Sequence, residues 1–337
     1  MKGISETESA ANEPTRAHAR TPVRIVGVAS GLGAPDPRCA EGPAVLRSSG
    51  LIDRLSEAGL DAAWSTTIAA PVRGEPSSST VPLLYKQLAS HVENLVLRGR
   101  LPVVLGGDHS CAIGTWKGVG RAVSARGSLG LVWIDAHMDA HTPETTHSGK
   151  LHGMPLACLL GHGDPRLAAT DGPGRLDPRR VCLVGVRSFE TGEAALLKRL
   201  GVKIFFMPEV MKRGLGAVMQ EAVAIARGQN EPYGISLDLD ALDPRDAPGV
   251  GTPVAGGIRS AELLRSLRRA GHDCALAGLE IVEYNPHHDK RGATGRLVGE
   301  IICAALAPRL LRSVASRAVA AGNEPRDSTK ERRQRAA

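Results

Sequence analysis

Short apolar runs recur along the chain, each closed by glycine, proline or acidic residues and followed by a stretch with helical spacing. Seven of them read as strands: 23–28, 101–105, 129–134, 181–186, 202–206, 233–237 and 274–281. They are apolar at most positions rather than at alternate ones, which is the pattern of strands covered on both faces, as in a parallel sheet. Helices are predicted over 43–58, 82–97, 208–227, 259–270 and 293–314. Three of these open on proline (Pro43, Pro82 and Pro208), a residue suited to a first helical turn because its missing N–H has no intrahelical partner there. The alternation of strand and helix predicts an α/β fold: one domain of three layers, helices on both faces of a doubly wound parallel sheet. Residues 1–22 and 317–337 are polar and lack a core-forming face, so they are expected to be disordered tails around a folded body over 23–316.

Composition narrows the picture. The chain has 337 residues, 42% hydrophobic but only 3% aromatic, so its core must be aliphatic. The net charge of +7 is partly local, with six basic against three acidic residues from Arg317 onward. No basic stripe interleaved with aromatics is visible, which argues against nucleic acid as a partner. The cysteines (39, 111, 158, 182, 274 and 303) are scattered without a paired CxxC spacing. They read as reduced thiols rather than as a zinc ribbon. No apolar run approaches the ~18 residues of a membrane span. The first residues carry Glu6, Glu8 and Glu13 and no apolar stretch, so a secretory signal is not expected and the cytoplasm is the expected compartment.

The candidate chemistry lies where three predicted strands end. In an open parallel sheet, ligands collect at the carboxyl ends of strands. The run 101–105 leads into Gly106, Gly107, Asp108, His109 and Ser110. His109 is a candidate ligand and Asp108 a candidate orienting group, although Asp108 or Ser110 capping a helix would explain the same residues. The run 129–134 leads into Asp135, His137 and Asp139, spaced by two. In extended chain such residues share a face, and like charges on one face are costly unless a cation neutralises them. The run 233–237 leads into Asp238 and Asp240, again on one face; a solvated acidic loop is the alternative. Together His109, Asp135, His137, Asp139, Asp238 and Asp240 supply four carboxylates and two imidazoles. One zinc needs only about four ligands, whereas this oxygen-rich set suits two hard divalent ions such as Mn²⁺. Two such ions can activate a shared water, so metal-assisted hydrolysis of a C–N, C–O or P–O bond is the implied reaction class.

At these residues the sequence resembles the arginase, or ureohydrolase, family. The matching segments are GGDHS (106–110), DAHMD (135–139), TPETTHSGKLHGMP (142–155), SLDLDALDP (236–244), PGVGTP (248–253) and EIVEYNP (280–286), in family order. The resemblance implies a catalytic domain over 23–316 that holds two manganese ions per subunit. His109, Asp135, Asp139 and Asp238 would bind the first, and Asp135, His137, Asp238 and Asp240 the second. It further implies that Asp139 passes a proton to the departing amine, that His152 is the acid–base histidine at the mouth, and that Glu283 pairs with the substrate guanidinium. A homo-oligomer, trimer or hexamer, is implied in the same way.

The resemblance leans toward arginases, whose substrate contacts map onto Ser148, Lys150, His141, Glu190 and Thr252. Three departures from the family pattern touch substrate identity: His141 and Lys150 stand where asparagines are usual, and Glu190 where aspartate is. Pointing inward, Lys150 would favour a carboxylate tail over a free amine. Glu190 could still hold an α-ammonium. The expected reaction is therefore L-arginine plus water giving L-ornithine and urea. A Glu190 turned away would favour 4-guanidinobutyrate, and agmatine is a further alternative. A reading of His141 and His147 as solvated loop residues fits the sequence equally well. Other classes are a non-catalytic metal-binding member of the fold, or a zinc deacetylase-like member, which needs fewer ligands.

Overall fold

The computed structural model describes residues 21–69, 80–168, 176–270 and 273–307. The predicted tails therefore lie outside the described residues, apart from Thr21 and Pro22, as does the end of the helix expected over 293–314.

Among the described residues, eight strands form one sheet: β1 (Val23–Ala29), β2 (Ala62–Ala69), β3 (Leu101–Gly106), β4 (Leu129–Ile134), β5 (Leu176–Val186), β6 (Lys203–Phe206), β7 (Tyr233–Asp238) and β8 (Leu276–Val282). Their order is β2-β1-β3-β8-β7-β4-β5-β6 and all seven pairings are parallel. All carboxyl ends thus lie along one rim. The helices are α1 (Gly42–Ser48), α2 (Leu51–Glu57), α3 (Thr80–Leu97), α4 (Ala112–Val123), α5 (Pro155–Leu159), α6 (Pro165–Ala168), α7 (Thr191–Leu200), α8 (Met207–Arg213), α9 (Leu215–Arg227), α10 (Ser260–Ala270) and α11 (Ala293–Leu306).

The strands alternate between two cores. Val23, Ile25, Val103, Leu105, Val132 and Ile134 face the core beneath α1, α2 and α8 to α11. Val26, Val28, Val104, Leu131 and Trp133 face the one beneath α3, α4, α5 and α7. Every strand of the sheet's centre is buried on both sides, which is why its sequence is apolar throughout and why the expected three-layer α/β/α architecture forms.

Several elements differ from their predictions, and α5, α6 and α7 were not expected at all. The helix expected over 43–58 is two, α1 and α2, parted at Gly50 with φ 73°, and that expected over 208–227 is α8 and α9, parted at Gly214 with φ 80°. Those left-handed turns suit glycine and end each helix. Strand β2 was not expected: as a sheet edge it is only half covered, and its Trp-Ser-Thr-Thr segment lacks an apolar run. Helix α4 was also not expected, because Gly114, Gly118 and Gly120 depress its helical propensity. Packing explains them: a Cβ on Gly118 would stand 2.5 Å from the Ala89 carbonyl of α3, so the glycine lets the two helices approach closely.

Candidate metal centre and its cavity

Five adjacent strands of the sheet, β3, β8, β7, β4 and β5, deliver the candidate residues to the carboxyl rim. His109 follows β3, Glu283 follows β8, Asp238 ends β7 with Asp240 just beyond, Asp135 to Asp139 follow β4, and Glu190 follows β5. Asp139 and Glu283 both sit at positive φ, 52° and 65°, without being glycine. Such strain persists only where the surroundings enforce it, and it clusters at functional sites.

The arrangement centres on the imidazole of His109, which is fully buried and stacked on Trp133 with ring centres 4.1 Å apart. Its Nδ1 lies 3.2 Å from Asp135 Oδ2, 3.0 Å from Asp139 Oδ2 and 3.2 Å from Asp238 Oδ2. Among the described residues it is the one buried side-chain polar atom without a hydrogen-bond partner. The opposite nitrogen, Nε2, is 3.0 Å from Ser236 Oγ, and that hydroxyl donates to Glu280 Oε2 at 2.6 Å. With its own proton spent on Glu280, Ser236 accepts from Nε2–H. The ring therefore turns a lone pair on Nδ1 toward three carboxylate oxygens, a set of acceptors that only a cation completes. Donor spacings of 3.0–3.2 Å match the edge of an octahedron with bonds of about 2.1 Å.

A second set shares Asp135. His137 Nδ1 lies 3.1 Å from Asp240 Oδ2 and 3.5 Å from Asp135 Oδ1, and the donor atoms of these three residues fall within 4.8 Å of one another. Asp135 is held at both oxygens, Oδ2 accepting from Trp133 Nε1 and Oδ1 from the His137 backbone N–H. Asp240 Oδ2 also accepts from Thr252 Oγ1 at 3.1 Å. All six sequence-predicted ligands are thus neighbours. The electrostatics show a want of positive charge. Burial, then the neighbouring acids, lift Asp139 to about 6 and raise Asp238 and Asp240. Burial opposes charge on both imidazoles, yet the carboxylates override it, pushing His137 up to about 12 and His109 well above its usual value. Divalent cations would meet that demand in place of protons.

Arg187, just past β5, fixes the surrounding loops and was not singled out in the sequence. Its guanidinium donates to the carbonyls of Asp240 (2.7 Å), Val254 (2.8 Å), Ala255, Gly185 and Ala241 (3.2 Å each), and its backbone N–H donates to Ala136. One side chain thereby ties the loop of Asp240 to that of Thr252, using the planar fork that lysine lacks. Arg187→Lys is expected to destabilise the fold by about 2 kcal/mol, as for lost charge-assisted hydrogen bonds, and to weaken cation uptake. Urea unfolding and a manganese titration check both.

The centre opens into a cavity. On its metal side lie His137, Asp139, Asp238, Asp240 and Thr252; on the other lie His141, Ser148, His152, Gly153, Glu190 and Glu193. His141 Nε2 is 2.9 Å from Glu190 Oε2 and 3.4 Å from Glu193 Oε2. Glu193, also not singled out in the sequence, is buried and accepts from the backbone N–H groups of Ala140 and Glu190. Burial, then Glu190 beside it, raises its carboxyl to about 8. A signal was present, since Glu190 and Glu193 are spaced as a helix-capping pair at the start of α7.

Two predicted contacts stand apart from the lining. Lys150 is exposed, after a left-handed turn at Gly149 (φ 68°), and the cavity does not include it. Glu283 is buried behind His152: its Oε1 accepts from the His109 N–H at 2.9 Å and lies 3.4 Å from His152 Nδ1. Its Oε2 faces Gly251, where a Cβ would stand 3.6 Å away. Burial opposes charge on His152, and Glu283 outweighs it and raises the ring's pKa.

The profile of the Arginase family matches residues 21–307. The arginase of Bacillus caldovelox is 39% identical over 283 residues, covering 81% of this chain and 94% of that protein. The crystal structure of arginase from Bacillus subtilis superposes with a TM-score of 0.80 at 34% identity, covering 86% of this chain and all of that one. A proclavaminate amidino hydrolase of Streptomyces clavuligerus shares the fold, with a TM-score of 0.66 at 24% identity over 85% of this chain and 90% of that one.

Proposed function

The chain belongs to the arginase family of hydrolytic enzymes, and on that premise we propose that it converts L-arginine and water to L-ornithine and urea, using two manganese ions. The observation that carries the metal-dependent hydrolysis is the unpaired Nδ1 of His109 facing three carboxylate oxygens. His109, Asp135, Asp139 and Asp238 would hold one ion, and Asp135, His137, Asp238 and Asp240 the other. When bound, a pair of divalent cations supplies a water acidified to near neutral pH.

The protein's own groups do the rest. Glu283 has one oxygen committed to the His109 N–H and the other turned to the space over Gly251, where a guanidinium N–H can reach it. That pairing presents the planar guanidinium carbon to attack. As the new C–O bond forms, Asp139 takes the proton released and gives it to the nitrogen that departs when the C–N bond breaks. His152, at the mouth and paired with Glu283, holds a proton for the leaving amine.

The substrate reading rests on the far wall, where Glu190 keeps its charge beside His141, while burial and Glu190 hold the neighbouring Glu193 toward its protonated form. Such a wall takes a cationic tail, as the α-ammonium of arginine, and gives the carboxylate tail of 4-guanidinobutyrate no cation to pair with. Agmatine is the second reading, since its terminal ammonium fits the same wall and Ser148 is the lining group left to favour a carboxylate. Urea release after manganese loading, with the three compounds side by side, decides: arginine is expected to lead in kcat/KM by at least about tenfold. A preference for 4-guanidinobutyrate would overturn the assignment, and loading with one zinc rather than two manganese would overturn the metal. Lys150→Asn is expected to change the arginine-to-agmatine ratio by less than about twofold, because the side chain lies outside the cavity. Cytoplasmic action and a trimer or hexamer complete the proposal, the latter checked by sedimentation.

A further inference from the structure

Glu280 is a charge that the proposed chemistry does not use. It lies in mid-strand on β8, is fully buried, and would be costly to ionise there without donors around it. Trp116 Nε1 donates to its Oε2 at 2.9 Å and Ser236 Oγ to the same oxygen at 2.6 Å, while the Cys111 thiol lies 3.7 Å from Oε1. Burial raises the carboxyl's pKa, and His109 beyond Ser236, with the donors, opposes the rise. Each of these partners has a proton to give, so the ionised form is the one that the pocket satisfies.

The indole that anchors it sits in a slot between side chains that are missing. Trp116 is fully buried against β7, where a Cβ on Gly234 would overlap the ring, and against β8, where a Cβ on Gly278 would stand 3.5 Å from it. Glycine at both positions lets the ring lie directly on the strands, which fixes the direction of Nε1. A relay then runs from Trp116 to Glu280, on to Ser236, and to Nε2 of His109 at 3.0 Å. The other imidazole ligand has no such backing. The His137 side chain is 28% exposed and lines the cavity, and among the described residues no group is hydrogen-bonded to its Nε2.

We infer that Glu280, aimed by Trp116, is a positioning residue for one ion position only, that of His109, Asp135, Asp139 and Asp238. Its charge draws the Ser236 proton, Ser236 accepts from the His109 Nε2–H, and Nδ1 is left as a stronger electron-pair donor toward the ion. This rests on the two-ion reading above and deepens it, by giving the two positions separate controls. Glu280 touches neither ion nor substrate; it acts through Ser236 and His109.

The test measures manganese bound per chain in buffers of graded free manganese, together with the electron paramagnetic resonance spectrum, for wild type, Glu280→Gln, Trp116→Phe, Ser236→Ala and the Ser236→Ala/Glu280→Gln double variant. The glutamine oxygen can still accept from Trp116 and Ser236, so this variant keeps the shape of the relay and removes its charge. Glu280→Gln is expected to weaken one of the two binding equivalents about tenfold and to leave the other unchanged. At intermediate free manganese its spectrum should be that of an isolated ion, where wild type shows a coupled pair. Trp116→Phe fills the slot without an N–H and should weaken the same equivalent about threefold; it carries the test if Glu280→Gln fails to fold. Adding Glu280→Gln to Ser236→Ala should cost nothing more, because the relay is already broken. The proposal is overturned if both equivalents weaken by the same factor, if neither weakens, or if the two losses multiply. Wild type that binds a single ion at saturation would instead overturn the two-ion reading, and this inference with it.

Discussion

Asp135→Asn should abolish turnover, by at least about a thousandfold, and should release metal from both ion positions at once. The reason is that Asp135 is common to the two donor sets, with one oxygen beside His109 and the other beside His137. An amide keeps the size of the side chain but removes its charge, and it turns one of the two acceptors into a donor. The Trp133 Nε1–H and the His137 N–H, which now donate to the two oxygens, cannot both be satisfied by an asparagine. Manganese content by metal analysis, taken with urea release, checks the outcome. Wild-type metal content in this variant would remove the shared-ligand arrangement from the mechanism.

Glu283→Gln should lower kcat/KM by about 10²–10³ while leaving metal content intact. The amide oxygen can still accept from the His109 N–H, so the ligand histidine keeps its backbone anchor. What disappears is the negative charge against the guanidinium, a charge-assisted interaction about twice as strong as a neutral hydrogen bond and directional toward a planar cation. The split between metal content and activity separates this residue from the ligands. A loss of manganese would recast Glu283 as a support of His109, and an unchanged kcat/KM would remove it from substrate binding.

The contrast between these two residues shows what the sequence discloses. The ligands were legible because the chain makes them conspicuous: an acid, an imidazole and an acid at i, i+2 and i+4 directly after a wholly apolar strand have no cheap structural explanation. The parallel sheet was legible for the same reason, since strands buried on both faces cannot alternate. The relay behind His109 was not. Ser236 lies in mid-strand, Glu280 sits between Leu279 and Ile281, and Trp116 comes from a helix obscured by its glycines. Nothing local says that these three meet. Lys150 shows the opposite limit. Its position next to the LHGMP segment suggested an inward charge, but one left-handed turn at Gly149 precedes an exposed side chain. Sequence proximity gives which loop a residue belongs to, not which way the loop faces. Glu193 and Arg187 were hidden for a related reason, because their roles depend on where α7 begins and on carbonyls from three separate loops.

The strand order carries a consequence for how the centre comes into being. Strand β3, which presents His109, is hydrogen-bonded to β8, with Val103 opposite Leu279, and the remaining donors stand on β7 and β4 beyond it. Partners so distant along the chain close late, because the loop entropy is spent before their contacts are won. During synthesis the first ligand must wait for about half the polypeptide to emerge before its strand, paired with β1 on one edge, finds β8 on the other. Ion capture should therefore coincide with completion of the sheet, so that manganese uptake serves as a clock for the final stage of maturation, and a nascent chain halted ahead of β8 should bind none.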